Sequence, residues 1–259
     1  VTTLGRGGSG TTAVAITAAL HGDRCEIYTD VEGVYTADPR IVPNARKLSE
    51  VSYDEMLEFA SLGAKVLHNR SVEMAKKYGV ELVVLSSLTR ARGTVVKEDT
   101  RVERMLVSGV AVDKNTARVS VLGVKNEPGI AFRIFNMLAK NQINVDIIIQ
   151  SVGREDRKDI SFTVARTDLA ETLDLLNENK EAFTASGITC DETVAKVSII
   201  GAGMVSNPGV AAKMFEALAS GNVNIKMIAT SEIRITVLID EQDANRAMRL
   251  VHDAFDMAD

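Results

Sequence analysis

"NEPGIAFRIFNMLAKNQINVDIIIQ" occupies residues 126–150, and eighty positions on the chain reads "SNPGVAAKMFEALASGNVNIKMIAT" at 206–230. Both stretches open on a Pro-Gly pair, Pro128 with Gly129 and Pro208 with Gly209. Apolar residues then recur at i, i+4, i+7 and i+8: Ile130, Ile134, Met137 and Leu138 in one copy, Val210, Met214, Ala217 and Leu218 in the other. That spacing lines one face of a helix. Asn144 and Asn224 read as the ends of these helices, before a new strand begins.

The flanks extend each stretch into a complete unit. "RVSVLGV" at 118–124 and "KVSIIGA" at 196–202 read as strands that run into the Pro-Gly loops. "VDIIIQS" and "IKMIATS" follow the helices, then "DISFTVA" or "RITVLID", then a second helix over 169–179 or 242–255. Each copy is therefore β-α-β-β-α, with room for a last strand in "ITCDETV" after the first, which is the ferredoxin-like pattern. The bulky strands at 145–150 and 225–230 are hazardous if left exposed, so they are expected to be covered, by each other or across a homodimer. The free amides that begin a helix after a Pro-Gly loop can hold a small carboxylate.

The first hundred residues follow another grammar. "VTTLGRGGSGTTAVAITAALHG" passes from the apparent end of a strand through a glycine-rich turn into a helix over 11–20. Because a domain seldom begins in mid-unit, further residues are expected ahead of Val1 in the natural protein. A strand is expected over 25–28 and a loop or hairpin at Gly33. Residues 52–79 read as helical, opened by Ser52 with Glu55 three positions later and interrupted at 61–63. "VELVVLSS" at 80–87 has the continuous apolar run of a buried strand. Strand, helix, helix, strand is α/β organisation. Residues 90–104, charged and poor in apolar side chains, read as a link. The expected domains are 1–98, 106–190 and 191–259.

Composition narrows the function classes. The chain has 259 residues, 46% hydrophobic and 25% charged, which is globular composition. Thirty basic residues against thirty-five acidic ones, unclustered, leave no footprint for nucleic acid. No apolar run approaches the roughly 18 residues of a membrane span, and no signal-peptide pattern opens the chain, so a cytoplasmic location is expected. Two cysteines, Cys25 and Cys190, and three histidines show no metal-ligand spacing, so no protein-held metal centre is expected.

"LGRGGSGTTAVAITAAL", "YTDVEGVYTADPRIVPNARKLSEVSYDEMLEFASLGAKVLH" and the two Pro-Gly stretches together resemble the aspartate kinases, which join an amino-acid kinase domain to a tandem ACT regulatory region. The resemblance implies an α/β chain made of the nucleotide-binding half of the kinase domain followed by two ferredoxin-like ACT domains. The N-terminal half, with the family's lysine-and-double-glycine phosphate motif, lies outside this sequence. The implied reaction is phosphorylation of the β-carboxylate of L-aspartate by ATP with Mg²⁺, inhibited by lysine or threonine in a homodimer joined through its ACT domains. An alternative is a catalytically incomplete, allosteric amino-acid-binding fragment or subunit, and this chain alone is expected to be inactive. The tandem ACT units argue against a kinase acting on glutamate.

The resemblance also implies site residues. Thr29, Asp30, Tyr35 and Arg40 of "YTDVEGVYTADPR" would contact ATP, with Lys65 and Val66 of "GAKVLH". Tyr35 offers a ring to a base or ribose, and Arg40 a cation to the phosphates, as phosphoryl transfer requires. "GRGGSG" would handle aspartate, with Arg6 as the carboxylate clamp and catalytic cation beside Ser9 and Gly10. The family normally places Asp at position 10, against the substrate ammonium, so Gly10 puts aspartate binding in question. At Asn69 the family usually carries Pro. The effector set is Asn126, Gly129, Ala131, Asn144, Val145, Asp146 and Gln150 from the first copy, and Val210, Ala211, Asn224, Ile225 and Ser231 from the second. An amino acid needs an acceptor for its ammonium and donors for its carboxylate; Asp146 is the acceptor and the loop amides are the donors.

Overall fold

A computed structural model describes residues 5, 7–64, 66–98, 106–151, 153 and 156–258. The chain forms two compact units. One gathers the described residues up to Val112 with Val197–Leu238 and the described residues from Asp243 onward; the other holds Asp113–Lys196 and Ile239–Gln242.

The first unit opens with α1 (Gly8–Ala19), β1 (Arg24–Thr29), β2 (Glu50–Ser52), α2 (Tyr53–Ser61), α3 (Asn69–Tyr78), β3 (Glu81–Ser86) and β4 (Thr94–Lys97). Their strands form one sheet in the order β1-β3-β4-β2, with β1 and β3 parallel. The reciprocal cap expected at the start of α2 is present: Ser52 Oγ accepts from Glu55 N and Glu55 Oε2 accepts from Ser52 N, each at 3.2 Å. The helical run is interrupted as expected, since α2 stops at Ser61 and α3 starts at Asn69. Asn69, in the first turn of α3, donates from its side chain to Ser61 Oγ at 2.8 Å, a tie to the end of α2 that Pro could not make. Buried Val14, Met56, Phe59, Val72, Leu82, Val84 and Val96 fill the core.

The expected link at 90–104 is in part a strand. β4 pairs with both β3 and β2, and Thr94 is fully buried, donating from Oγ1 to the Leu48 carbonyl at 2.6 Å and accepting from Val34 N at 2.9 Å. Three residues, "TVV", amid charges are too short a run for alternation to declare a strand; its pairing partners decide.

Both copies of the repeat fold as expected. The first is β6 (Ala117–Lys125), α4 (Ile130–Lys140), β7 (Val145–Gln150), β8 (Arg157–Val164), α5 (Leu169–Glu178) and β9 (Gly187–Asp191), an antiparallel sheet in the order β7-β8-β6-β9. Ile130, Ile134 and Leu138 are fully buried against it, and Phe135 meets Phe162 edge-on at 5.4 Å. The second is β10 (Val194–Ile200), α6 (Val210–Ser220), β11 (Met227–Thr230), β12 (Arg234–Asp240) and α7 (Ala244–Ala254), with Val210, Met214, Ala217 and Leu218 buried. Gly129 and Gly209 cap α4 and α6 with φ of 95° and 94°, a left-handed backbone that favours glycine.

Two expectations change. The second sheet runs β11-β12-β10-β5, so its fourth strand is β5 (Gly109–Asp113), which precedes the first copy in sequence. Residues 106–190 are thus not one sheet's worth of chain. The helices also end at Lys140 and Ser220, four residues before Asn144 and Asn224. Gln142 and Asn222 take positive φ, and the amides of Ile143 and Val223 return to the carbonyls of Leu138 and Leu218, which closes the helices there.

β7 and β11 lie at the edges of separate sheets, with Ile148, Ile149 and Ile228 exposed.

Candidate functional site

The candidate nucleotide residues follow β1. Thr29 is its last residue, and the Thr29 carbonyl accepts from both Ser87 N at 2.8 Å and Ser87 Oγ at 3.0 Å, just past β3. The carboxyl ends of the two parallel strands are thereby tied together, the edge at which open α/β sheets bind ligands. Thr29 Oγ1 donates to Asp30 Oδ1 at 3.0 Å. Tyr35 is half-buried and bridges to Lys47.

Arg40 forks onto Asp38, with Nε 3.0 Å from Oδ1 and the terminal nitrogen 2.7 Å from Oδ2. The hydrogen bond from Arg40 holds the Asp38 carboxyl below the usual carboxylate range. The Arg40 side chain is 89% exposed, so the guanidinium can exchange its carboxylate for an incoming phosphate with the same bidentate geometry. Glu32 is held below the usual carboxylate range by the Thr89 hydroxyl and by Lys47. Asp38, Glu32, Lys47 and Ser87 thus support the loop; sequence reasoning passed over Glu32, Lys47 and Ser87 because their partners lie 15 to 58 positions away, and over Asp38 although its partner Arg40 is two positions on. Val66 is half-buried against the core of this unit. Lys65 and Arg6 lie outside the described residues.

The glycine-rich turn leads into α1. Gly7 caps it with φ 77°, and a Cβ there would lie 2.3 Å from the His68 ring, so the close approach also requires glycine. Ser9 is exposed in the first turn of α1. At Gly10 a Cβ would stand 3.0 Å from Ser71 Oγ, whose hydroxyl lies 3.4 Å from Thr11 Oγ1. The Cβ of any residue at position 10 needs that hydroxyl to give by a few tenths of an ångström. Among the described residues no group of three or more His, Cys, Asp or Glu side chains could hold a metal ion.

The candidate effector residues fall on loop and edge strand in both copies. In the first, Asn126 N donates to the Asp156 carbonyl at 2.8 Å, Gly129 caps α4 without a side-chain hydrogen bond, and Ala131 lies in the first turn. Asn144 leads into β7, whose residues Val145, Asp146 and Gln150 lie along the sheet edge. Asp146 already has a partner: Lys196 Nζ lies 2.7 Å from Oδ2, with the lysine side chain 8% exposed and the aspartate 40%. In the second copy Val210, Ala211 and Ser231 line an open cleft of about 460 Å³ with Asn207, Thr230 and Glu232. Asn224 and Ile225 precede β11 and do not line it.

The family models matching this chain are the amino acid kinase family over residues 1–86 and the ACT domain over 119–179 and 197–255. A curated relative, the aspartokinase of Bacillus sp. (strain MGA3), is 50% identical over 259 residues, 100% of this chain and 63% of the relative. The chain therefore spans about 63% of that relative's length. The structure of E. coli aspartokinase III in complex with aspartate and ADP superposes with a TM-score of 0.84 at 32% identity, over 98% of this chain and 57% of that one. The same enzyme in complex with lysine and aspartate gives 0.79 at 32% identity, over 98% and 56%. The regulatory subunit of aspartate kinase from Thermus thermophilus is 43% identical, with a TM-score of 0.55, over 58% of this chain and 99% of that subunit.

Proposed function

Because this chain belongs to the aspartokinase family, we propose that the polypeptide carrying it transfers the γ-phosphoryl group of ATP to the β-carboxylate of L-aspartate. Lysine, threonine or both, bound at the ACT pair, inhibit it. The observation that carries this reading is the placement of residues 29–40 at the tied carboxyl ends of β1 and β3. Thr29, Asp30, Tyr35 and Arg40 receive the nucleotide there, with Lys65 and Val66. Mg²⁺ brought in with the ATP phosphates would neutralise their charge during the transfer. Arg6, Ser9 and Gly10 take the aspartate.

The effector's ammonium meets Asp146 and its carboxylate the amides at Gly129 and Ala131, while Gln150, Asn126, Asn144 and Val145 shape the pocket. Val210, Ala211, Asn224, Ile225 and Ser231 are their counterparts. The exposed isoleucines of β7 and β11 point to a homodimer joined through the ACT domains, and the cytoplasm is the site of action. The complexes of E. coli aspartokinase III with ADP, aspartate and lysine support these ligand classes.

A hydroxamate assay on the natural gene product should detect aspartyl phosphate, falling when lysine, threonine or both are added. The 259-residue chain alone should give none. A second reading, that the chain serves only as an amino-acid-binding regulatory piece, is favoured by its covering 99% of a separate regulatory subunit. Amino-acid binding by calorimetry with no turnover from the natural product would select it.

A further inference from the structure

Thr36 stands between Tyr35 and the Asp38–Arg40 fork, yet it is fully buried. Its Oγ1 lies 2.9 Å from Nε2 of His252 on α7 and 3.1 Å from the Met257 carbonyl, and accepts from Arg46 N at 3.0 Å. A hydroxyl carries one hydrogen. When the Met257 carbonyl takes it, the imidazole must donate from Nε2, which leaves Nδ1 as a bare acceptor. Nδ1 is the buried ring atom without a hydrogen-bond partner. Asp253 Oδ1 stands 3.9 Å from Nδ1, beyond hydrogen-bond reach, so the Met257 bond of the hydroxyl favours the Nε2–H tautomer.

The backbone of Thr36 is held as well, N to the Arg46 carbonyl at 2.9 Å and O from Val110 N at 2.7 Å. Nearby, Arg249 Nε on α7 donates to the Ile41 carbonyl at 2.9 Å, and Ala45 bridges to Ala258. The last helix and tail of the second copy therefore grip the segment 36–45 at three places, all within one compact unit.

We propose that His252 is a positioning residue for the nucleotide: through Thr36 it sets the Tyr35 ring and the Asp38–Arg40 fork that receive ATP. The inference rests on the reading of residues 29–40 as the nucleotide loop. It makes the second ACT copy part of the scaffold of the nucleotide site, and not only a place for effectors. No other side chain of the second copy reaches the Thr36 hydroxyl among the described residues.

The test is the dissociation constant for ADP and the KM for aspartate in the natural gene product. Thr36→Val and Histidine 252 to phenylalanine (H252F) remove the bond; Thr36→Ser and His252→Gln restore a hydroxyl or a donor. Tyr35→Ala and Arg40→Ala probe the loop reading, and Leu176→Ala, in the other unit's core, controls for lost stability. T36V and H252F should each weaken ADP about tenfold, the size of one lost hydrogen bond, with aspartate KM unchanged and most of the loss recovered in T36S and H252Q. Nitrogen-15 NMR should show the Nε2–H tautomer in the parent and its loss of definition in T36V. Unchanged ADP affinity in T36V and H252F, beside weakened Y35A and R40A, overturns the positioning role alone. Unchanged affinity in Y35A and R40A overturns the loop reading and the inference with it. A rise in both constants matching L176A assigns His252 to stability only, and also overturns it. Should H252F fail to fold, T36V carries the same decision.

Discussion

The two copies of the repeat share a backbone and differ in what they do with it. Their Pro-Gly caps agree to within a degree in φ, and the same four positions of α4 and α6 face the core. The edge strands diverge: Asp146 of β7 is held by a buried lysine, while its counterpart Lys226 stands just before β11, beside a copy with an open cleft. The helix faces are alike because both copies need a core, and the edge strands, which do not fill it, differ in their chemistry. The second copy packs in one unit with the kinase-like residues; the first belongs to the other unit.

The largest effects should come from the shared core. Leu138→Ala and Leu218→Ala each remove a fully buried leucine and should cost about 2–5 kcal/mol in urea unfolding. Hydrogen exchange separates them: L218A should loosen β3 as well as α6, whereas L138A should leave β3 protected. Equal loosening of β3 by both would break the distinction between the units.

Edge chemistry comes next. On sequence alone, Asp146→Ala and Gln150→Ala look like surface changes, each within about 1 kcal/mol. The structure separates the two. Asp146→Ala leaves the buried Lys196 ammonium without the carboxylate 2.7 Å away and should cost about 1–3 kcal/mol, while Gln150→Ala stays within about 0.5 kcal/mol. Chemical denaturation of both variants decides, and an equal small loss would mean that Lys196 is adequately solvated without its partner.

The smallest effect is one of pH. Burial pushes His252 below its ordinary value, with Asp253 opposing and Arg46 assisting; the Thr36 hydroxyl and the Met257 carbonyl complete its surroundings. The unfolded chain therefore binds more protons than the folded one below the ordinary histidine pKa of about 6.5. Stability is full above that value and falls as the pH drops from it toward the folded pKa. The first copy has no histidine. On going from pH 7.5 to 5.5, α7 should lose exchange protection before α5 does; simultaneous loss would remove His252 as the cause.

What was legible in the sequence was whatever depends on neighbours a few positions away. The period of eighty, the helix faces, the Ser52–Glu55 cap and the break after Ser61 all follow from local spacing. The strand at 94–97, the exchange of β5 into the second sheet, the Asp146–Lys196 pair and the Thr36–His252 contact do not, because they depend on partners beyond the reach of a local pattern, from the 10 positions between Val84 and Thr94 to the 216 between Thr36 and His252. Asp146 could be read as an acceptor from its type alone. That its ammonium partner is supplied by the chain itself could not.

β5 carries a consequence for how the chain can be divided. The strand that completes the second sheet is made before the first copy, and the rest of that sheet after it. The first copy is thus nested inside the second, like a clause in parentheses, and the repeat is not two beads on a string. A cut at residue 191 would release a second copy lacking its fourth strand, with the side of β10 laid bare. Excising residues 114–193 and joining the ends, by contrast, would leave all four strands of the second sheet on one continuous polypeptide.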